Sequence, residues 1–424
     1  GKARHEGKRI EVARRVAVDT EGRYLVDLCD DQWRVVKVWP GGWRIDNSPS
    51  VRFVRSQNAL PLPMPVRGGN LAKLWMSVNV APADRHLLLT VLLEFCRADT
   101  PYPVLELTGQ QGSAKSTSQS ALRDLIDPNK VNLRGRPKTV EDIFVAAAAS
   151  HIVSYENLSA LSNDQQDAFC TLSTGGGHAG RKLYSNDEEA VISAKRPVML
   201  NGIEEVVTRP DLADRRIGVE LQPIGKNRKL DGEVAREFAA AKAEIFGGLM
   251  DLFATCLLTL GDISVKEENL ELPRMADFAL LGEAVFRTLG HSDKCFIGLY
   301  ADRRRKDVLR TLDASPTITA LIEMVYKGHS WDAIRLSDLL ADLKDAHPHI
   351  CNDAPKSGKG MGALLARHSP GLAMIGIHVK RGIKAERGLA VKICKVGEDF
   401  TTEDTHRPCP QCLVEAGEKP VHII

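Results

Sequence analysis

The chain has 424 residues, 43% hydrophobic and 26% charged. That balance excludes a disordered or collagen-like polymer, and the length exceeds what one hydrophobic core usually holds. Lysine and arginine number 57 against 55 aspartate and glutamate, so the net charge of +2 says little about partners, and any polyanion signal must come from local clusters. No run of about 18 apolar residues occurs, the first fifteen residues lack the apolar stretch of a secretory signal, and the nine cysteines are scattered. A cytoplasmic, reducing location with no membrane partner is the expectation. A start on Gly1 points to a trimmed chain and leaves open whether other domains precede it.

In chain order, RYLVDLC, WRVVKVW, WRIDN and SVRFVRS (residues 21–57) alternate as strands, with a hairpin turn at Pro40-Gly41-Gly42. Trp33, Trp39 and Trp43 sit among them, either as the core of a small β-domain or as a base-stacking platform. The proline- and glycine-rich LPLPMPVRGG at 60–69 reads as a linker, followed by apolar helices over about 70–98. From about 103 to 223 strands alternate with helices, the pattern of a mainly parallel sheet. Residues 231–311 are nearly all helical, EVAREFAAAKAEIFGGLMDLFATCLL having helix-period apolar spacing. The helices SPTITALIEMVY, SDLLADLKDA and GKGMGALLARH and the strands AMIGIHVKRG and RGLAVKICKV outline a winged-helix module. The expected divisions are 1–68, 69–225, 226–312, 313–398 and a polar tail, 399–424.

LELTGQQGSAKST, residues 105–117, is the motif with the most chemical content. A strand runs into Gly109, and the loop Gly109, Gln110, Gln111, Gly112, Ser113, Ala114, Lys115, Ser116, Thr117 opens a helix. Such a loop offers backbone N–H groups to phosphate oxygens at a helix N-terminus. Lys115 would reach the β- and γ-phosphates of ATP, and the Ser116 hydroxyl would bind Mg²⁺. Ala114 stands where this motif usually has glycine, which implies a helical backbone there. HIVSYENLS follows, with Glu156 and Asn157 at the end of a β-rich run, 41 residues after Lys115. Glu156 there would hold Mg²⁺ or orient the attacking water; otherwise it is a solvated carboxylate. RPVMLNGIEEV ends a further strand at Asn201, and TRPDLADRR places Arg215 and Arg216 near the core's end. Taken alone, Asn201-Gly202 reads as a turn and the arginines as surface charge.

In this order, GQQGSAKST, Glu156-Asn157, LSTGGGHAGRKLY, RPVMLNGI, RPDLADR and LPRMADF resemble the AAA+ ATPases of phages and mobile elements, which are similar to superfamily III and MCM-type replicative helicases. The resemblance spans about residues 70–310. It implies an α/β AAA+ P-loop ATPase core with a helical lid, between the small β-rich domain and the winged helix. It implies Walker A at Gly109–Ser116, Walker B at Glu156, sensor 1 at Asn201, Arg215 as a finger acting on a neighbouring subunit, and Arg274 as sensor 2. Sites completed in trans imply a homo-oligomeric ring, often a hexamer, with a primase as a candidate partner. Where the family's Walker B usually ends Asp-Glu, this chain has Glu-Asn, which leaves the division of labour at Glu156 open.

For DNA, single-stranded or forked, two regions stand out. GGGHAGRKLYSNDEEAVISAKRP reads as a flexible glycine run and a hairpin. The resembling helicases push this hairpin into the pore, with a basic tip. Here the tip carries Asp187, Glu188 and Glu189, so contacts would fall on His178, Arg181 and Lys182, or the hairpin meets protein or solvent. Residues 356–395 hold nine lysines and arginines, namely Lys356, Lys359, Arg367, Lys380, Arg381, Lys384, Arg387, Lys392 and Lys395, with Glu386 as the single acid. That is the footprint of phosphate binding, or of a winged helix that packs on protein. In the tail, His406, Cys409, Cys412 and His422 suit a Zn²⁺ knuckle or a free thiol pair. The expected function is an ATP-hydrolysing DNA helicase or translocase of phage or mobile-element replication. The alternatives are a nucleotide-gated initiator or loader without processive unwinding, and an NTPase acting on protein partners.

Overall fold

The computed structural model describes residues 12–181, 189–225, 228–385 and 388–395. The described chain divides into two compact units. One takes in residues up to Val207 and Arg215–Gly298; the other takes in Thr208–Asp214 and the chain from Leu299 onward.

The first unit begins with β1 (Val12–Ala13), β2 (Val16–Val18), β3 (Tyr24–Asp27), β4 (Val35–Trp39), β5 (Gly42–Asp46) and β6 (Arg52–Phe53). β2 to β5 form an antiparallel meander, and β1 pairs with β6. Trp39 lies opposite Gly42, and Gly41 turns the hairpin with φ +82°. Leu25, Val26, Val35, Val36 and Val38 are fully buried, on both faces of these strands. Trp43 is core, its Nε1 donating to Asp251 Oδ1 at 2.7 Å, whereas Trp33 is half exposed. Buried Arg15 donates to Asp127 Oδ1 at 3.1 Å and ties the meander to the rest of the unit. Breaking a buried pair of this kind costs about 3–5 kcal/mol.

The segment 60–69, read from composition as a linker, is a bonded strap. Leu60 N donates to Pro128 O, Leu62 N to Leu28 O and Val66 N to Ala243 O. Prolines keep it extended, and it crosses a long helix where Gly247 and Gly248 leave room for its backbone; a Cβ on Gly247 would fall 1.8 Å from Val66 O. After it come two 3₁₀ turns, Leu71–Met76 and Pro82–Asp84, and α1 (Arg85–Glu94). Apolar helices were expected over about 70–98. Asn70 and Ser77 cap the first turn and Pro82 opens the second, so the helix starts only at Arg85.

The central sheet contains β7 (Val104–Thr108) and, beyond α2 (Lys115–Asp124) and α3 (Val140–Ala149), β8 (Val153–Leu158). After α4 (Asn163–Thr174) come the antiparallel hairpin β9 (Gly176–Arg181) and β10 (Glu189–Ala194), then β11 (Val198–Gly202). α5 (Pro210–Ala213) precedes β12 (Arg216–Glu220), and the four-stranded order β12-β7-β11-β8 is parallel throughout. Capping boxes Thr139/Asp142 and Ser162/Gln165 start α3 and α4. The glycine run expected to be flexible is in β9, with Gly176 opposite Ala194 and Gly177 opposite Ser193. A Cβ on Gly176 would come 2.6 Å from Thr171 Cγ2, so glycine there permits close packing on α4.

α6 (Asp231–Asp262) has 32 residues and is long and apolar enough to cross a membrane by length and composition alone. Its apolar residues, among them Phe238, Ile245, Phe246, Leu249 and Phe253, are buried in the unit. α7 (Ala276–Thr288) packs on it, and α8 (Cys295–Asp313) follows.

The second unit gathers α9 (Pro316–Tyr326), β13 (Trp331–Arg335), α10 (Leu336–Ala346), α11 (Gly358–Met374), β14 (Ile377–Ala385) and β15 (Gly388–Lys395) around Ile318, Leu321, Leu339, Leu343, Leu365 and Ile393. Its three strands are antiparallel in the order β13-β15-β14. β13 was not expected: it is a short edge strand with mostly exposed residues and no alternation to give it away.

Candidate nucleotide site and basic surface

β7 is buried along its whole length and delivers the chain to Gly109 at the end of the parallel sheet. Gly109 has φ +149°, and a Cβ there would lie 2.4 Å from Leu221 O and 2.8 Å from Ser113 Oγ. Gly112 has φ +87°. Ala114 has φ 58° and ψ 35°, left-handed and not helical as expected. The loop must reverse before α2 starts, and a left-handed residue does that whatever its side chain. For alanine the conformation costs roughly 1–2 kcal/mol. Ala114 gives α2 no side-chain cap, so the first-turn N–H groups stay available to an anion.

The cradle is braced from both sides. Asn79 Nδ2 donates to Ser113 O at 3.0 Å and to Gln222 O at 2.7 Å, and Asn79 N donates to Ser118 Oγ at 3.0 Å. Ile224 N donates to Gly112 O at 3.2 Å. Lys115 Nζ lies inside the loop, donating to Gly109 O at 2.7 Å and Gln110 O at 2.9 Å. Partial burial lowers its pKa. Ser116 and Thr117 are half-buried on the first turn of α2, and Gln110 and Gln111 are exposed.

Glu156 is half-buried near the end of β8, and Asn157 is exposed with φ 53°, a conformation asparagine tolerates. Asn201, fully buried at the end of β11, accepts from Asn157 N at 2.9 Å and donates to Gln119 Oε1 at 2.6 Å. Gln119 in turn donates to Ser154 Oγ at 2.7 Å and Tyr155 O at 3.0 Å. Thus α2, β8 and β11 are locked together below the loop. Gln119 and Asn79 were missed from the sequence; the one available signal for Gln119 is its position one helical turn after Lys115.

Beside the loop a cavity of about 220 Å³ is lined by Trp75, Met76, Asn79, Ala114, Thr117 and Ile224, among others. A neighbouring cavity of about 430 Å³ runs along α2, with Ser116, Asp124, Phe238 and Lys242 in its walls. Among the described residues no three His, Cys, Asp or Glu side chains converge as a metal cage. A serine hydroxyl and a carboxylate are oxygen ligands of the kind Mg²⁺ takes beside phosphate oxygens and water, which makes Ser116 and Glu156 the candidates for that ion.

Neither arginine near the core's end is presented outward. Arg216 is buried, ion-paired to Glu106 and, at 2.9 Å, to Glu205. Arg215 is 7% exposed, with Nη1 3.8 Å from Cys170 Sγ. To act on another subunit, the Arg215 guanidinium would have to leave this position. Arg274 is exposed just before α7.

In the second unit Lys356, Lys359, Lys380 and Arg381 are exposed and Arg367 is half-buried. Lys380 lies directly across from Lys392, which binds Asp332 at 2.7 Å, so Asp332 offsets part of the basic run. Gly362 of α11 is a packing residue, a Cβ there lying 2.9 Å from Leu336 Cδ1. The side chains of His178, Arg181, Lys182, Lys384 and Arg387, the hairpin tip, and His406, Cys409, Cys412 and His422 lie outside what the structure describes.

A family model described as actinomycete integrative conjugative element replication protein matches residues 71–292. Among solved structures, an apo form of the NrS-1 C-terminal region is 12% identical, covering 88% of this chain and 97% of that one, with a TM-score of 0.36. The JCV helicase, solved with a bound thiazolopyridine compound, is 15% identical, covering 55% and 66%, with a TM-score of 0.25. No curated protein matches.

Proposed function

The chain belongs to the replication proteins of actinomycete integrative conjugative elements, and from that premise we propose that it is an AAA+-type, ATP-driven DNA helicase or translocase working as a ring, a hexamer by resemblance. The observation that carries the reading is the braced loop Gly109–Ser116 at the mouth of a parallel sheet, with Lys115 inside it. In this reading the loop N–H groups and the start of α2 bind the β- and γ-phosphates. Lys115 balances their charge. Ser116 and Glu156 hold Mg²⁺, which neutralises charge on the phosphates. The 220 Å³ cavity takes the base, between Trp75 and Ile224. Asn201 fixes the backbone at Asn157 and so the water-facing end of β8. Phosphoryl transfer to water needs mostly positioning and charge stabilisation, which these groups supply. Lys356, Lys359, Arg367, Lys380 and Arg381 would track the DNA backbone in a winged helix.

Single-stranded DNA should stimulate ATP hydrolysis by the wild-type chain, and Lys115→Ala should reduce it at least about a hundredfold. Mixed Lys115→Ala and Arg215→Ala chains should partly restore activity if Arg215 leaves Cys170 to serve a neighbouring copy. No restoration in well-formed mixed rings removes that role from Arg215. The exposed basic residues of the second unit equally suit an initiator or loader, and absence of strand displacement on a forked substrate would favour it.

A further inference from the structure

The loop between β3 and β4 holds an exposed tryptophan, Trp33. Trp33 is 51% exposed and has φ 57°, a conformation in which a bulky residue is a true outlier. The residue is half exposed, yet its ring has a fixed partner. The Arg55 guanidinium lies 3.8 Å from its centroid. Arg55 is itself pinned by two hydrogen bonds to Asp27, at 2.9 and 2.6 Å. Of the acids in the loop, Asp30 is engaged by Arg34 at 2.6 Å, and Asp31 is exposed. One face of the indole is thus backed by a fixed cation, and a strained, exposed, preorganised aromatic is what a stacking ligand requires.

Charge indicates which ligand. Residues 12–67, the described part of this region, contain nine Lys or Arg against six Asp or Glu. Arg44 and Arg52 are exposed on the same small β-module. A basic module with one presented indole fits an anionic polymer with aromatic side groups.

We propose that Trp33, backed by Arg55, is a stacking platform for a base of single-stranded DNA, separate from the basic strands of the second unit. The site does not depend on nucleotide hydrolysis.

The test is fluorescence anisotropy of a labelled oligothymidylate with the full chain, repeated in the Lys115→Ala background so that failure of the ATPase reading leaves it interpretable. Trp33→Ala should weaken binding about tenfold, and Trp33→Phe should retain most of it. An abasic oligomer should bind the wild type more weakly but make no difference to Trp33→Ala. Trp33→Gly separates the role from a structural one: it relieves the backbone strain, so the melting temperature should rise while affinity falls. Unchanged affinity in folded Trp33→Ala and Trp33→Gly, or no binding of the oligomer by the wild type, overturns the proposal. A melting temperature that falls in Trp33→Gly without loss of affinity makes the residue a structural clamp and overturns it as well.

Discussion

The mouth of the parallel sheet and the antiparallel sheet of the second unit both offer positive potential, but by different means. At Gly109–Ser116 it comes from backbone N–H groups and one lysine, held by Asn79 and Ile224. On β14 and β15 it comes from long side chains, with Lys380 set across from Lys392, a like-charge pairing that destabilises a sheet. The first arrangement suits one small anion at one place. The second suits a repeating polyanion at low geometric precision, and Asp332 already tempers it.

The contrast can be broken most forcefully at Gly109. Gly109→Ala would drive a Cβ into Leu221 O, so stability should fall by about 2–4 kcal/mol and nucleotide binding should vanish, while DNA affinity of the folded fraction is retained. Denaturant unfolding with nucleotide titration checks this. Changing the other surface should do the reverse. Lys380→Ala with Arg381→Ala should leave nucleotide affinity unchanged and make the log–log salt slope of DNA binding shallower by roughly 0.9 per lost phosphate contact. A slope equal to that of the wild type would remove those residues from the interface. The smallest expected effect sharpens the geometry of the loop: Ala114→Gly should stabilise the chain by about 0.5–1 kcal/mol, read as a higher denaturation midpoint, because glycine adopts the left-handed conformation without the Cβ clash. A loss of stability would place Ala114 in another conformation.

Legibility in the sequence followed the same division. A strand, glycines and a lysine within a dozen residues are a pattern that spacing alone announces, and the strand, loop and helix of residues 104–124 lie where that pattern puts them. Asn79 braces the loop from another segment, and Gln119 ties α2 to β8 and β11 below it; a single polar residue in a helix or turn carries little local signal. The conformation of Ala114 is set by the path of the loop, which overrides the residue type. Composition misled at residues 60–69, where the prolines and Gly69 serve close passage over α6, and it gave no sign that Gly176 packs against Thr171 of α4. β13 is too short and too exposed to show a period.

The central claim is that the loop ending in Lys115 binds Mg²⁺–ATP. Isothermal calorimetry of the purified chain with Mg²⁺–ATP should give saturable binding that disappears in Lys115→Ala while that variant keeps the wild-type circular dichroism spectrum. No heat with the folded wild type, or equal affinity in the variant, would contradict the account.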